Sequence, residues 1–177
     1  MCGIVGYIGS QNAQDFVLDG LEKLEYRGYD SAGIAVNTGE DKFHIVKKVG
    51  RLKNLADILE KEPLKGTMAI GHTRWATHGK PSDENSHPHF NKDETLVVVH
   101  NGIIENYLTL KKQLIEKGHV FKSETDSEVV AHLAEELDDG DFFSTVRKVV
   151  KEITGTYTLL FMNSDYPDTI AQRVRIR

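Results

Sequence analysis

A chain of 177 residues, 39% hydrophobic and 28% charged, suits one globular domain able to bury a real core. The net charge of −5, with lysines and arginines dispersed among acids, argues against nucleic acid as a partner. No run approaches the roughly 18 apolar residues of a membrane span, and the single cysteine, Cys2, excludes an internal disulfide and suits a reducing cytoplasm.

Taken in chain order, Cys2–Ile8 reads as a strand and Ala13–Leu24 as a helix, with Ala13, Val17, Leu21 and Leu24 on one face and Gly28 near its exit. Gly33–Val36 and Phe43–Lys48 form a hairpin. A short helix carries Leu52, Leu55, Ala56 and Leu59 at helical spacing, and Pro63 stops it. Thr67–Arg74 and Thr95–His100 are strands flanking a long polar loop. Helices over Ile104–Lys117, Ser127–Leu137 and Phe142–Ile153 follow, then a strand over Thr156–Met162. Strands joined by short turns, with helices in groups, predict an antiparallel α+β layer structure rather than a doubly wound sheet.

Cys2 directly follows the initiator methionine. Trimming of Met1 leaves a residue with a thiol and a free α-amine together, a nucleophile and a base in one place. A thiol of pKa about 8.5 is mostly protonated at neutral pH, whereas an α-amine near 7.7–8.0 is partly free to take its proton. Position alone favours the plainer reading of a small buried apolar residue on the first strand.

Five ordered segments bear on that choice: Cys-Gly-Ile-Val-Gly-Tyr-Ile-Gly (Cys2–Gly9), Leu-Glu-Tyr-Arg-Gly-Tyr-Asp-Ser-Ala-Gly (Leu24–Gly33), Gly-His-Thr-Arg-Trp-Ala-Thr-His-Gly (Gly71–Gly79), His-Asn-Gly-Ile-Ile-Glu-Asn-Tyr (His100–Tyr107) and Ser-Glu-Thr-Asp-Ser-Glu (Ser123–Glu128). Together they resemble the glutaminase domain of the class II glutamine amidotransferases. The Tyr-Arg-Gly-Tyr-Asp-Ser form is most similar to that of glutamine:fructose-6-phosphate aminotransferase (isomerizing), the glucosamine-6-phosphate synthases. The resemblance implies a four-layer αββα sandwich of N-terminal-nucleophile hydrolase type. It also implies glutamine as substrate, hydrolysed through a Cys2 thioester, and no cofactor or metal. It covers residues 2–170; 171–177 stand apart as a basic tail, which predicts a domain truncated at its C-terminal end. A sugar isomerase domain binding fructose 6-phosphate, the partner in a homo-oligomeric full-length enzyme, has no counterpart in these residues. Other readings are the glutaminase domain of another class II amidotransferase, or an inactive glutamine-binding fragment.

Glutamine needs a donor fork for its carboxylate, an acceptor for its ammonium and an oxyanion hole beside its amide. Arg74 is the candidate fork, since guanidinium matches a carboxylate bidentately, with Thr77 adding a hydroxyl; on spacing alone Arg74 also reads as a solvated strand-end charge. Asp126 is the candidate ammonium acceptor, while Thr-Asp-Ser-Glu before an apolar-periodic stretch also reads as a helix N-cap. Asn101-Gly102 is a strong hairpin-turn signal; the other reading, which the resemblance favours, is an oxyanion hole from the Asn101 side chain and the Gly102 N–H. By resemblance Arg27, Tyr29 and Asp30 support the Cys2 end of the pocket. Trp75 and His78 belong to a loop, Trp75–His89, that closes over glutamine, with a buried aromatic anchor as the alternative for Trp75. His72, His78, His87, His89 and His100 invite a metal reading, but their spacing fits no compact ligand pattern. Hydrogen bonding in loops is the role expected of them.

Overall fold

The computed structural model of the chain describes residues 2–75 and 79–176. Two four-stranded antiparallel sheets stack face to face. The first runs in the order β1-β4-β2-β3, from β1 (Gly3–Ile8), β2 (Ser31–Asn37), β3 (His44–Val49) and β4 (Met68–Arg74). The second, β5-β6-β7-β8, comprises β5 (His89–Phe90), β6 (Leu96–Ile104), β7 (Gly155–Asn163) and β8 (Ile170–Arg175). Helices α1 (Ala13–Leu24) and α2 (Leu52–Lys61) cover the first sheet, and α3 (Tyr107–Glu116), α4 (Glu128–Leu137) and α5 (Phe142–Glu152) cover the second. The chain is thus an αββα sandwich.

Three apolar layers hold these elements together, and each follows from sequence period. Val17 and Leu21 of α1 and Leu52, Leu55 and Leu59 of α2 lie on helical spacing and pack against Ile34 and Val36. Between the sheets, alternating inward positions of β4, β6 and β7 meet: Met68 and Ile70, Val97 and Val99, Leu160 and Met162. The opposite faces of β6 and β7, with Val98, Leu159 and Phe161, receive Val129, Val130, Phe142 and Val149 from the second helical layer. Asp141 caps α5, its carboxylate accepting from the Ser144 N–H at 2.8 Å.

The structure corrects the sequence reading at two places. The Asn101-Gly102 pair makes no turn, because β6 continues through it to Ile104, with Asn101 opposite Thr158 and Gly102 opposite Tyr157 on β7. Gly102 takes φ +131° there, and a Cβ would run into the Thr156 carbonyl oxygen, so glycine is required by backbone conformation and close approach together. Helix α3 accordingly begins at Tyr107 rather than at Ile104. The segment set apart as a basic tail joins the second sheet, where Ala171–Arg175 of β8 pair with β7 from Phe161 to Tyr157. Arg173 and Arg175 are exposed on this edge strand, charges of the kind that discourage edge-to-edge pairing.

Candidate active site

The two sheets deliver the candidate residues to one end of the sandwich. Cys2 precedes β1, Arg74 ends β4, Asn101 and Gly102 lie in β6, and Asp126 leads into α4. A cavity of about 430 Å³ opens among them, lined also by Arg27, Trp75 and Thr125. Thr77 and His78 lie outside the described residues.

The Cys2 thiol is fixed by the backbone of Trp75, whose N–H donates to Sγ at 3.2 Å while the carbonyl lies 3.6 Å away. Burial pushes the thiol pKa up, with the Trp75 N–H pulling it partly back. A thiol so placed stays protonated at neutral pH and needs a base to become a nucleophile.

Asn101 is held from both sides. His72 lies 2.8 Å from Asn101 Oδ1 and 3.0 Å from the His100 carbonyl, both through Nε2. Burial lowers the His72 pKa to about 3, so the ring is neutral at physiological pH, and two acceptor oxygens facing Nε2 place its one proton there. That proton orients the Asn101 amide with Oδ1 toward His72 and Nδ2 toward Cys2, where it donates to the Cys2 carbonyl at 3.1 Å. An amide nitrogen carries two hydrogens, so a second remains for a ligand.

The charged pair lines the same cavity. Arg74 is 4% exposed and donates to the Gly79 carbonyl at 3.2 Å, with Asp30 Oδ1 3.9 Å from its other terminal nitrogen. This burial removes the reading of Arg74 as a solvated charge. Gly28 lets the preceding segment pass directly over the Arg74 carbonyl, where a Cβ would meet backbone at 2.7 Å. Asp126 is also buried, and its Oδ2 accepts from the Ile104 N–H at 2.8 Å. It does not cap α4: the cap position is Ser127, which makes no side-chain cap bond. Spending that oxygen on the end of β6 ties the carboxylate to the strand that carries Asn101.

The supporting residues divide. Arg27 lines the cavity, whereas Tyr29 does not and instead sits edge-on to Trp75 with ring centroids 5.4 Å apart. Trp75 is 49% exposed and is no buried anchor. The histidines lie mostly in strands rather than loops. His89 and His100 reach Thr125 and Ser127 at 3.0 and 2.7 Å, and His87 stacks on His72 at 4.1 Å with no hydrogen bond among the described residues. His72 as the group that orients Asn101 is not legible in the sequence, since the contact joins strands 29 residues apart in different sheets.

The fold and site together define a class II type amidotransferase architecture. The model of the glutamine amidotransferase domain family matches residues 72–176, and the chain belongs to that family. It is similar to glutamine–fructose-6-phosphate aminotransferase (isomerizing) of Thermus thermophilus, 53% identical over 98% of this chain and 28% of that protein. The protein of the same name from Caldanaerobacter subterraneus subsp. tengcongensis is 56% identical over 96% of this chain and 28% of its own length. The chain therefore spans little more than a quarter of these relatives. Among solved structures, glutamine phosphoribosylpyrophosphate amidotransferase from B. subtilis superposes with a TM-score of 0.80 at 30% identity, covering 93% of this chain and 35% of that one. A structure described as the allosteric regulatory enzyme of purine biosynthesis superposes at 0.81 with 31% identity, over 93% and 36%.

Proposed function

We infer that this domain hydrolyses the side-chain amide of glutamine through a Cys2 thioester, as the ammonia-supplying half of glucosamine-6-phosphate synthesis from fructose 6-phosphate. The observation that carries the reading is the single cavity in which a cysteine thiol, an oriented asparagine amide and buried charges of both signs converge. In the mechanism, the α-amine of Cys2, exposed once Met1 is removed, takes the thiol proton. Sγ attacks the amide carbon, and the oxyanion that forms is met by Asn101 Nδ2–H and the Gly102 N–H. The ammonium then protonates the departing nitrogen, ammonia leaves, and a glutamyl thioester remains. Water, deprotonated by the same amine, attacks the thioester; glutamate is released and the thiol is restored.

Arg74 serves the substrate carboxylate, to which Thr77 adds a hydroxyl, and Asp126 and the Gly102 carbonyl serve the ammonium. Residues Trp75 and His78 belong to the segment that closes over bound glutamine, with Arg27 and Tyr29 supporting that end of the cavity. Greater identity to the fructose-6-phosphate aminotransferases than to the phosphoribosylpyrophosphate enzyme favours the amino-sugar route. On that reading the partner is a sugar isomerase domain in a homo-oligomeric, cytoplasmic enzyme. No helix among the described residues is long and apolar enough to cross a membrane.

Substitutions in the charged pair are expected to act on binding. Arg74→Lys loses the planar fork and Asp126→Asn the countercharge, so each raises KM for glutamine with a smaller change in kcat. Initial rates across a glutamine range measure the split; a fall in kcat alone would remove both residues from substrate recognition.

The proposal as a whole is tested on the purified chain with its natural N-terminus. Given glutamine, it is expected to release glutamate and ammonia in equal amounts. Given fructose 6-phosphate as well, these 177 residues alone form no glucosamine 6-phosphate and show no faster glutamate release, because both effects need the second domain. Absence of glutamate release would favour the inactive-fragment reading, and amino sugar formed without contaminating full-length enzyme would refute the division of labour.

A further inference from the structure

A second cavity, of about 530 Å³, opens beside α4 and shares no lining residue with the cavity at Cys2. His119, His132 and Glu135 stand together on its wall. His119 lies just beyond α3, while His132 and Glu135 are one helical turn apart on α4. The His119 and His132 Nδ1 atoms are 3.2 Å apart, and Glu135 Oε2 lies 3.4 Å from the first and 3.8 Å from the second.

Those three separations nearly outline one face of a tetrahedron. Zinc–nitrogen and zinc–oxygen bonds of roughly 2.0–2.2 Å place neighbouring ligand atoms about 3.3–3.5 Å apart. The outward faces of both rings point the same way chemically. His119 Nε2 is 3.2 Å from Glu136 Oε2, and His132 Nε2 is 3.5 Å from Glu128 Oε1. Carboxylates behind the rings favour protons on Nε2, which turns both Nδ1 lone pairs inward.

Both carboxylates are anchored by partners of their own. Lys117 reaches Glu136 at 2.6 Å. Glu128 accepts from the Lys122 N–H at 2.8 Å and from the Ser123 N–H and hydroxyl, each at 2.7 Å. Two imidazole nitrogens and a carboxylate oxygen thus converge on one point.

We propose that His119, His132 and Glu135 form a binding site for a divalent transition-metal ion of the zinc type, its fourth position open to water in the cavity. Imidazole and carboxylate donors suit such an ion better than magnesium or calcium, which prefer all-oxygen shells. Its place in the fold gives it a structural effect. The ion would fasten the chain just after α3 to α4, bracketing the segment 120–127 that carries Asp126. Glu136 and Glu128 are positioning residues that act through the two rings.

Cobalt(II) is the probe, because its visible absorption reports coordination geometry. The chain should carry Cys2→Ala, since the N-terminal thiol and amine could themselves bind metal. Titration is expected to give one cobalt per chain with tetrahedral ligand-field bands lacking thiolate charge transfer, displaced by zinc. His119→Gln and Glu135→Gln, both at partly exposed positions, should each weaken binding by roughly tenfold or more, and Glu136→Gln by about tenfold. Zinc should raise the melting temperature of the unsubstituted site and not that of His119→Gln. Absence of tetrahedral bands, or equal affinity in the folded His119→Gln and Glu135→Gln chains, would overturn the proposal and leave a shared proton as the cation between the rings.

Discussion

Cys2→Ala is expected to reduce glutamate release by at least roughly 10⁴-fold while leaving glutamine binding measurable by calorimetry. The magnitude follows from losing the covalent route altogether; what remains is transition-state stabilisation by the oxyanion donors and positioning of a water. Binding survives because the groups proposed to recognise the amino-acid end, Arg74 and Asp126, are buried and held by their own partners, at Gly79 and Ile104. The thiol contributes only contacts with the Trp75 backbone to the described structure, so its removal leaves the fold intact. Residual turnover within tenfold of the unsubstituted chain would mean that another group performs the attack.

Asn101→Ala is expected to lower kcat by roughly 10² to 10³, the usual loss for one oxyanion donor, with KM little changed. Asn101→Asp sharpens the test. A carboxylate can still accept from His72 Nε2 and preserve the cross-sheet contact that holds residue 101, yet it presents an acceptor where Nδ2 donates and adds negative charge beside the developing oxyanion. The aspartate variant should therefore be at least as slow as the alanine variant although its packing is closer to the original. Recovery of activity in Asn101→Asp, or a change confined to KM, would assign Asn101 to binding or scaffolding. Crystallographic or NMR comparison of the His72 contact in the two variants separates lost chemistry from lost order.

Much of this arrangement is legible in the residues themselves. The apolar period of Ala13, Val17 and Leu21 gives α1 at the bounds observed, Ala13–Leu24, because that face is buried by β1 and β4 and nothing tertiary competes with it. Likewise Cys2, Arg74, Asn101, Gly102 and Asp126 stand out in the five segments, and one cavity collects them. What local pattern cannot give is the partner strand. Asn-Gly signals a turn until nine residues of β7 are available to pair through it. Strand β8 buries only Ala171 well; Arg173–Ile176 alternate polar and apolar as a strand does, but Val174 and Ile176 are left exposed, and pairing with β7 supplies the order. Asp126 reads as a helix cap by spacing alone, but the Ile104 N–H, 22 residues away in sequence, claims its oxygen. The His119, His132 and Glu135 group is equally hidden, since only the packing of α4 against the end of α3 brings the first ring to the second.

The claim that Cys2 is an N-terminal nucleophile is tested most directly by covalent trapping. The chain is incubated with a glutamine-derived diazoketone, with and without competing glutamine, and its intact mass and modified peptide are measured. One adduct per chain is expected, on the Cys2 sulfur of molecules lacking Met1, formed more slowly as glutamine is raised. Labelling at the same rate in chains that retain Met1, or an adduct at Cys2 indifferent to glutamine, would contradict it.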